Sequence, residues 1–231
     1  MKKIVIVPAR GGSKRIPKKN IKIFYGKPII FYSLDASLKT GIFDCIHVST
    51  EDKEIYEIVS QLGFMPSFYR SEQCAGDNVP VKDVLIETIV KFEKLGNKFD
   101  IICLLSATAP LIDAQDLIDA WKQFEISTME YPMLAVSRYP VPIEWALKLN
   151  TDSKFLKPVD IKLFSESSHN FQDKYYDIGS FAFFTRDQLF AQSSKMRFVP
   201  YILPQTKSVD LDNMEDWYTL ERLYSIEKVL Y

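Results

Sequence analysis

Residues 4–20, IVIVPARGGSKRIPKKN, constrain the fold of this chain more than any other segment. Four consecutive apolar residues at 4–7, all β-branched, suit an inner strand of a parallel sheet. The strand leads directly into two adjacent glycines, Gly11 and Gly12, where the backbone can turn freely and approach a ligand closely. Cations are concentrated within the ten residues from 10 to 19: Arg10, Lys14, Arg15, Lys18 and Lys19. Open α/β sheets bind phosphate at such a loop, so the segment predicts binding of a polyphosphate, such as a nucleotide.

The loop matches neither of the two common phosphate-binding motifs, GxxxxGK[ST] and GxGxxG. The structural alternative is a solvated basic loop, because most runs of charge simply face water. The preceding strand, the double glycine and the hydroxyl of Ser13 favour the ligand-binding interpretation.

Length and composition limit the remaining choices. A chain of 231 residues with 47% hydrophobic residues predicts one α/β domain with a sizeable core. The net charge of −1 argues against nucleic acid as a partner. The three cysteines are far apart with no CxxC spacing, which disfavours a zinc site or a disulfide framework. No apolar run reaches the roughly 18 residues of a membrane span, so we expect no membrane partner and a reducing cytoplasm.

Strand-like and helix-like segments alternate along the chain. This order predicts a mostly parallel sheet with helices on both faces. We expect a single domain over residues 1–231, with an insertion at about 138–176 where two X-Pro pairs interrupt the pattern. Predicted strands cover 4–7, 44–50, 100–105, 132–137 and 181–184, with a short strand or extended piece at 65–70. Predicted helices cover 28–40, 52–62, 81–95, 113–124 and 216–228.

Asp210-Leu211-Asp212 is the second segment that suggests chemistry. In a strand, alternate side chains point to the same side, so both carboxylates would share one face. Two carboxylates near a triphosphate suit Mg²⁺, which prefers one or two carboxylates together with phosphate oxygens. The alternative is a strand end with two solvated acids.

Residues 9–20, ARGGSKRIPKKN, resemble the motif ARxGSKxxPxKN of the cytidylyltransferases that activate nine-carbon sialic-acid-type sugars. The resemblance implies a Rossmann-like nucleotidyltransferase fold, Mg²⁺ dependence and a homodimer whose insertion reaches the partner's site. Arg15 stands where the family often has glycine, and SKRI is common in the branch that uses pseudaminic acid. By the resemblance, CTP contacts come from Ala9, Arg10, Gly11, Gly12, Ser13, Lys14, Lys19 and Asn20.

Three further segments resemble that family. RSEQCAGDNVPVKD at 70–83 implies that Arg70 and Asp77 border the base and ribose. The structural alternative, which is compatible with that role, is that Asp77 or Asn78 caps the helix from Val81. LSATAPL at 105–111 carries Ser106 in place of the family's glutamine and keeps Thr108. A DIDxxxD-like metal-binding segment is matched by Asp210 and Asp212, with Asp216 at a similar offset.

Two segments resemble the sugar-binding parts of the pseudaminate branch, VSRYPVPIEWAL at 136–147 and FQDKYYDIG at 171–179. They imply a sugar site that includes Thr108, Arg138, Gln172 and Asp177. Trp145 and Asn170 replace residues that are usually basic. The sugar carboxylate would then be bound by Arg138, Lys148 or Lys174, because a carboxylate favours cationic donors.

The expected reaction is attack of the sugar's anomeric hydroxyl on the α-phosphorus of CTP, with release of pyrophosphate. Arg10, Lys14, Lys19 and a Mg²⁺ ion bound by Asp212 would neutralise the developing charge. Alternative acceptors are N-acetylneuraminate, legionaminate and the eight-carbon 3-deoxy-octulosonate. An inactive nucleotide-binding regulatory module is the alternative from another class, and the intact Asp210 and Asp212 disfavour it.

Overall fold

The computed structural model describes residues 1–152, 154–191 and 197–230. Strands are β1 (Lys3–Pro8), β2 (Ile23–Phe24), β3 (Lys27–Pro28), β4 (Cys45–Ser49), β5 (Ile101–Leu105), β6 (Met133–Arg138), β7 (Leu147–Leu149), β8 (Leu156–Pro158), β9 (Tyr175–Thr185) and β10 (Val199–Ile202). Helices are α1 (Ile30–Thr40), α2 (Lys53–Gln61), α3 (Val81–Lys94), α4 (Ala114–Ile126), α5 (Ile161–Phe164), α6 (Arg186–Phe190) and α7 (Met214–Leu230).

Six strands form one twisted sheet in the order β10-β6-β9-β5-β1-β4. β1 is parallel to both β4 and β5, and β10 is parallel to β6. β9 is antiparallel to its neighbours β5 and β6. The prediction of a mostly parallel sheet is confirmed, with β9 as the strand that reverses direction.

The apolar run of β1 is explained by helices on both sides of the sheet. Ile4 and Ile6 are fully buried on one face, where they share a core with α3 and α6. Val5 and Val7 are fully buried on the other face, in a core that includes α1 and α4. A strand covered on both faces has no polar side, which is why this segment does not alternate.

Most predicted elements are present, and their ends differ by a few residues. The helix predicted from residue 28 begins at Ile30, because Lys27 and Pro28 pair with Ile23 and Phe24 in a two-residue hairpin. The turn residues of this hairpin, Tyr25 and Gly26, have φ values of 42° and 82°, as a type I′ hairpin turn requires. Residues 65–70 form no strand, and β10 was not predicted.

The segment between β6 and β9 leaves the central sheet. It contains the β7–β8 hairpin and the short helix α5. Large apolar side chains lie exposed along it, among them Leu149, Phe155 and Ile161 with 55%, 71% and 74% exposure. Over the described parts of the chain, no helix is both long and apolar enough to cross a bilayer.

Candidate active site

The carboxyl ends of parallel strands meet at one edge of the sheet, and a cleft of about 360 Å³ opens there. β1, β4 and β5 end at this edge at Pro8, Ser49 and Leu105. Residues from the loops that follow β1 and β5 line the cleft, together with residues before α3 and α7. The polar lining residues are Arg10, Ser13, Lys14, Arg15, Lys19, Asn20, Arg70, Asp77, Ser106, Thr108 and Asp212.

Two cations of the glycine loop share one carboxylate. Arg10 Nη1 lies 2.7 Å from Asp77 Oδ1, and Lys14 Nζ lies 2.6 Å from Asp77 Oδ2. The hydrogen bond and charge of Lys14, with a further contribution from Arg10, hold the pKa of Asp77 below its usual value. The alternative role of Asp77 or Asn78 as a helix cap is wrong, because Pro80 occupies the N-cap position of α3.

Arg15 and Lys19 face the acidic segment before α7. Arg15 Nη2 lies 2.7 Å from Asp212 Oδ1, and Lys19 Nζ donates to the backbone oxygen of Leu211. Burial lowers the pKa of Lys19, while the nearby charges of Asp210 and Asp212 oppose that effect. Residues 192 positions apart thus meet at the rim of the cleft.

The segment Asp210-Leu211-Asp212 is not a strand, contrary to the prediction. It is an irregular loop between a 3₁₀ turn (Gln205–Lys207) and α7. The side chains still alternate between the interior and the surface, because Leu211 is buried among aromatic residues of α7 and leaves Asp210 and Asp212 toward the surface. Asp216 accepts from the backbone N–H groups of Asp212 and Asn213 at 2.8 Å each, so its carboxylate caps the start of α7.

The pKa of Asp210 is affected by its surroundings and by Asp212. Displacement of water by the surrounding protein raises the pKa of Asp210, and the charge of Asp212 adds to that rise. Within the described ranges, no group of three or more His, Cys, Asp or Glu residues is arranged to hold a metal by itself. The acidic pair therefore offers a partial coordination shell, which other oxygen ligands would have to complete.

Arg70 reaches the cleft from the segment before α3. Its guanidinium donates to Ser49 Oγ at 3.1 Å and to the backbone oxygen of Ser49. Nη1 lies 3.5 Å from Glu51 Oε2, and the Arg70 side chain is only 4% exposed. Burial lowers the pKa of Arg70, and the charges of Glu51 and Glu87 oppose that shift. Sequence reasoning did not identify Glu51, which directly follows the end of β4 and its loop residue Thr50.

The other residues predicted for the nucleotide differ in how they reach the cleft. Asn20 Nδ2 donates to the backbone oxygen of Arg10 at 2.9 Å, so it also supports the glycine loop. Ser106 Oγ and Thr108 Oγ1 lie 3.2 Å apart in the turn after β5. Ala9, Gly11 and Gly12 lie behind the lining residues as backbone of the loop. Ala9 is buried, and its N–H donates to Ser49 O at 2.9 Å.

Three of the four residues predicted for the sugar lie outside the cleft lining. Arg138 ends β6, and its Nη1 lies 3.2 Å from both carboxylate oxygens of Asp173. Asp177 pairs in register with Val136 of β6 and accepts from Gly179 N at 2.8 Å. Gln172 is exposed just before β9. Thr108 is the member of this set that lines the cleft.

Comparisons with known proteins identify relatives of this chain. Residues 4–131 match the family model described as cytidylyltransferase. The chain is 33% identical to a pseudaminic acid cytidylyltransferase of Campylobacter jejuni, over 98% of this chain and 97% of that protein. It is 24% identical to a CMP-N,N'-diacetyllegionaminic acid synthase of Legionella pneumophila, over 99% and 98% of the two chains.

Solved structures support the same fold. A CMP:2-keto-3-deoxy-manno-octonic acid synthetase complexed with CTP superposes with a TM-score of 0.72 at 17% identity, covering 98% of this chain and 100% of that one. A 4-diphosphocytidyl-2C-methyl-D-erythritol synthase superposes with a TM-score of 0.64 at 14% identity, covering 97% and 100%.

Proposed function

The chain belongs to the cytidylyltransferase family, and we propose that it transfers CMP from CTP to the anomeric hydroxyl of pseudaminic acid. The observation that carries this proposal is the 33% identity to a pseudaminic acid cytidylyltransferase over nearly the whole of both chains. The anomeric oxygen forms a bond to the α-phosphorus and loses its proton to solvent, while the bond from that phosphorus to the bridging oxygen breaks and pyrophosphate leaves.

The triphosphate is proposed to bind against the glycine loop. Arg10 offers a planar set of donors and Lys14 a compact charge, and both suit phosphate oxygens. Each already pairs with the exposed carboxylate of Asp77, and a solvent-exposed pair of this kind is readily exchanged for a ligand. Lys19 at the rim adds a third cation, so that positioning and charge neutralisation supply the catalysis.

Asp210 and Asp212 are the residues proposed to hold Mg²⁺. They fit this ion because hard oxygen donors are its usual ligands. Burial and then the charge of Asp212 raise the pKa of Asp210, so both disfavour its carboxylate form, which a bound cation would stabilise. Mg²⁺ takes one or two carboxylates with phosphate oxygens, which agrees with a pair rather than a larger cluster. When bound, the ion would neutralise charge on the phosphates.

The sugar is proposed to bind beside the cleft, at the edge where β5, β6 and β9 meet. Arg138 is the best placed basic group for the sugar carboxylate, because its pair with Asp173 is more than half exposed and easily exchanged. Lys174 is instead held by Glu144, whose side chain is only 11% exposed. Gln172 and Asp177 follow on the same edge, and Thr108 links this region to the nucleotide cleft.

We further propose a homodimer and a cytoplasmic location. Large apolar side chains lie exposed together between β6 and β9, and an exposed apolar surface of this kind favours cover by a second copy. The three unpaired cysteines, Cys45, Cys74 and Cys103, fit a reducing compartment. Light scattering of the purified protein tests the dimer directly, and a monomer at micromolar concentration would contradict it.

The function is tested by incubating the protein with CTP, Mg²⁺ and a panel of nonulosonic acids, followed by mass detection of the CMP-sugar. We expect kcat/KM for pseudaminic acid at least tenfold above that for N-acetylneuraminic acid, or about 1.4 kcal/mol of transition-state preference. Equal rates, or a preference for another acceptor, would refute the acceptor and leave cytidylyl transfer. CTP binding without any CMP product would favour a regulatory module.

A further inference from the structure

Glu51 connects two parts of the nucleotide site without lining the cleft itself. Its Oε1 accepts a hydrogen bond from the backbone N–H of Gly11 at 2.8 Å. Its Oε2 is buried, lies 3.5 Å from Arg70 Nη1, and has no hydrogen-bond donor among the described residues. One carboxylate thus contacts both the glycine loop and the buried guanidinium of Arg70.

The hydrogen bond that Glu51 accepts from Gly11 fixes the glycine loop at its turn. Ser13 N donates to Gly11 O at 2.9 Å, so both backbone polar groups of Gly11 are engaged. The residues on either side of this peptide, Arg10, Ser13 and Lys14, are those that line the cleft. A loop held at one peptide presents its flanking side chains in a defined place, whereas exposed loops are usually mobile.

Arg70 is fixed by the same segment of chain. Its guanidinium bonds to Ser49, and its backbone N–H donates to Thr50 O at 2.8 Å. Glu51 follows these two residues directly, so the end of β4 holds Arg70 from one side and Gly11 from the other. Glu51 is therefore the side chain of this segment that contacts both the glycine loop and Arg70.

We propose that Glu51 is a positioning residue for CTP, acting through its hydrogen bond to Gly11. This inference rests on the proposed function, because it takes CTP as the ligand of the cleft. The hydrogen bond to Gly11 holds the loop before and during the reaction, so we infer that its loss weakens CTP binding in the ground state and in the transition state alike. Its loss should raise KM for CTP and leave kcat nearly unchanged.

Three single variants test the proposal. Glu51→Ala removes the acceptor, and we expect KM and the calorimetric Kd for CTP to rise at least tenfold, with kcat within about threefold of wild type. Glu51→Gln keeps a carbonyl oxygen for Gly11, so we expect KM within about fivefold of wild type. Glu54→Ala is the matched control, because Glu54 forms only an exposed pair with Lys18, and we expect no change.

Two results would overturn the proposal. The first is wild-type KM and Kd in Glu51→Ala, and the second is an equal defect in Glu51→Gln and Glu51→Ala, which would make the charge rather than the hydrogen bond responsible. If Glu51→Ala does not fold, Glu51→Asp takes its place: the shorter side chain keeps the charge but withdraws the acceptor from Gly11 N, so we expect the same tenfold rise in KM and Kd, and wild-type values would overturn the proposal. A wild-type protein that binds CTP without turnover would refute the proposed function, while the Kd series would still test Glu51.

Discussion

Gly11→Ala is expected to be far more damaging than Gly12→Ala, although the two residues are neighbours in one loop. A Cβ atom at Gly11 would lie 2.0 Å from Asp52 Oδ2 and 3.0 Å from Asp52 Cβ. Ordinary contact between such atoms is about 3.5 Å, so one side must move by more than 1 Å. A Cβ at Gly12 would find its nearest neighbour, Asp77 Oδ1, at 3.9 Å.

Neither Asp52 nor Gly11 can move away from this contact without weakening a hydrogen bond. Asp52 Oδ1 accepts from Ile55 N at 3.0 Å and caps α2, and Gly11 is held to Glu51. Breaking the cap costs about 1 kcal/mol, and overpacking of this kind costs about 1–3 kcal/mol. In a chain of this size, a loss of about 1–3 kcal/mol in the free energy of unfolding corresponds to a fall in thermal midpoint of about 2–12 °C.

The assay is the thermal midpoint of both variants by calorimetry, with KM for CTP measured on the same preparations. A double-mutant cycle with Asp52→Ala isolates the contact: the double variant should be more stable than the two single losses predict. Equal midpoints for Gly11→Ala and Gly12→Ala would show that the loop does not pack against Asp52 as described.

Other substitutions test the site and the core. Asp212→Ala should lower turnover by about two to four orders of magnitude without changing the thermal midpoint, and near wild-type kcat at ordinary Mg²⁺ would refute its metal role. Arg10→Ala and Lys19→Ala should raise KM for CTP far more than they lower the midpoint; a large midpoint loss with unchanged kinetics would indicate a purely structural loop. Burial, with smaller contributions from Lys91 and Arg70, lowers the pKa of His47 to about 4 from its usual 6.5. Because the unfolded chain binds this proton more readily, stability is lost as pH falls from 6.5 toward 4, by about 2 kcal/mol at pH 5. Urea unfolding of His47→Leu should lose that part of the pH dependence, and an unchanged slope would contradict the assignment.

The elements that sequence predicted well are those specified by local patterns. The run at 4–7 predicts a doubly covered strand because each of its side chains needs apolar surroundings on its own face. The cap of α2 by Asp52 and the capping box of α4 are also local, which is why these helix starts were predicted within one or two residues. The hairpin at Ile23–Pro28 was missed because its turn begins with Tyr25, which rarely adopts a positive φ.

The errors at the site come from contacts between distant parts of the chain. A carboxylate shortly before a helix suits a cap, and sequence alone could not show that Asp77 instead meets Arg10, 67 residues earlier. Alternation at Asp210-Leu211-Asp212 suggested a strand, yet one buried leucine in a loop produces the same pattern. Glu51 belongs to no recognisable sequence motif, because its proposed role depends on a hydrogen bond to a glycine 40 residues away.

These long-range contacts share one physical feature, which bears on how the site works. Three exposed cations of the cleft pair with an acid from another loop: Arg10 and Lys14 with Asp77, and Arg15 with Asp212. Such pairs are exposed, so each contributes little to folding and costs little to exchange for phosphate. The buried contacts made by Glu51, Arg70 and Asn20 involve backbone groups, which a ligand does not replace. The site thus contains buried contacts that a ligand leaves in place and exposed ion pairs that a ligand replaces. Only substitutions that break the buried contacts should lower the free energy of unfolding of the ligand-free chain.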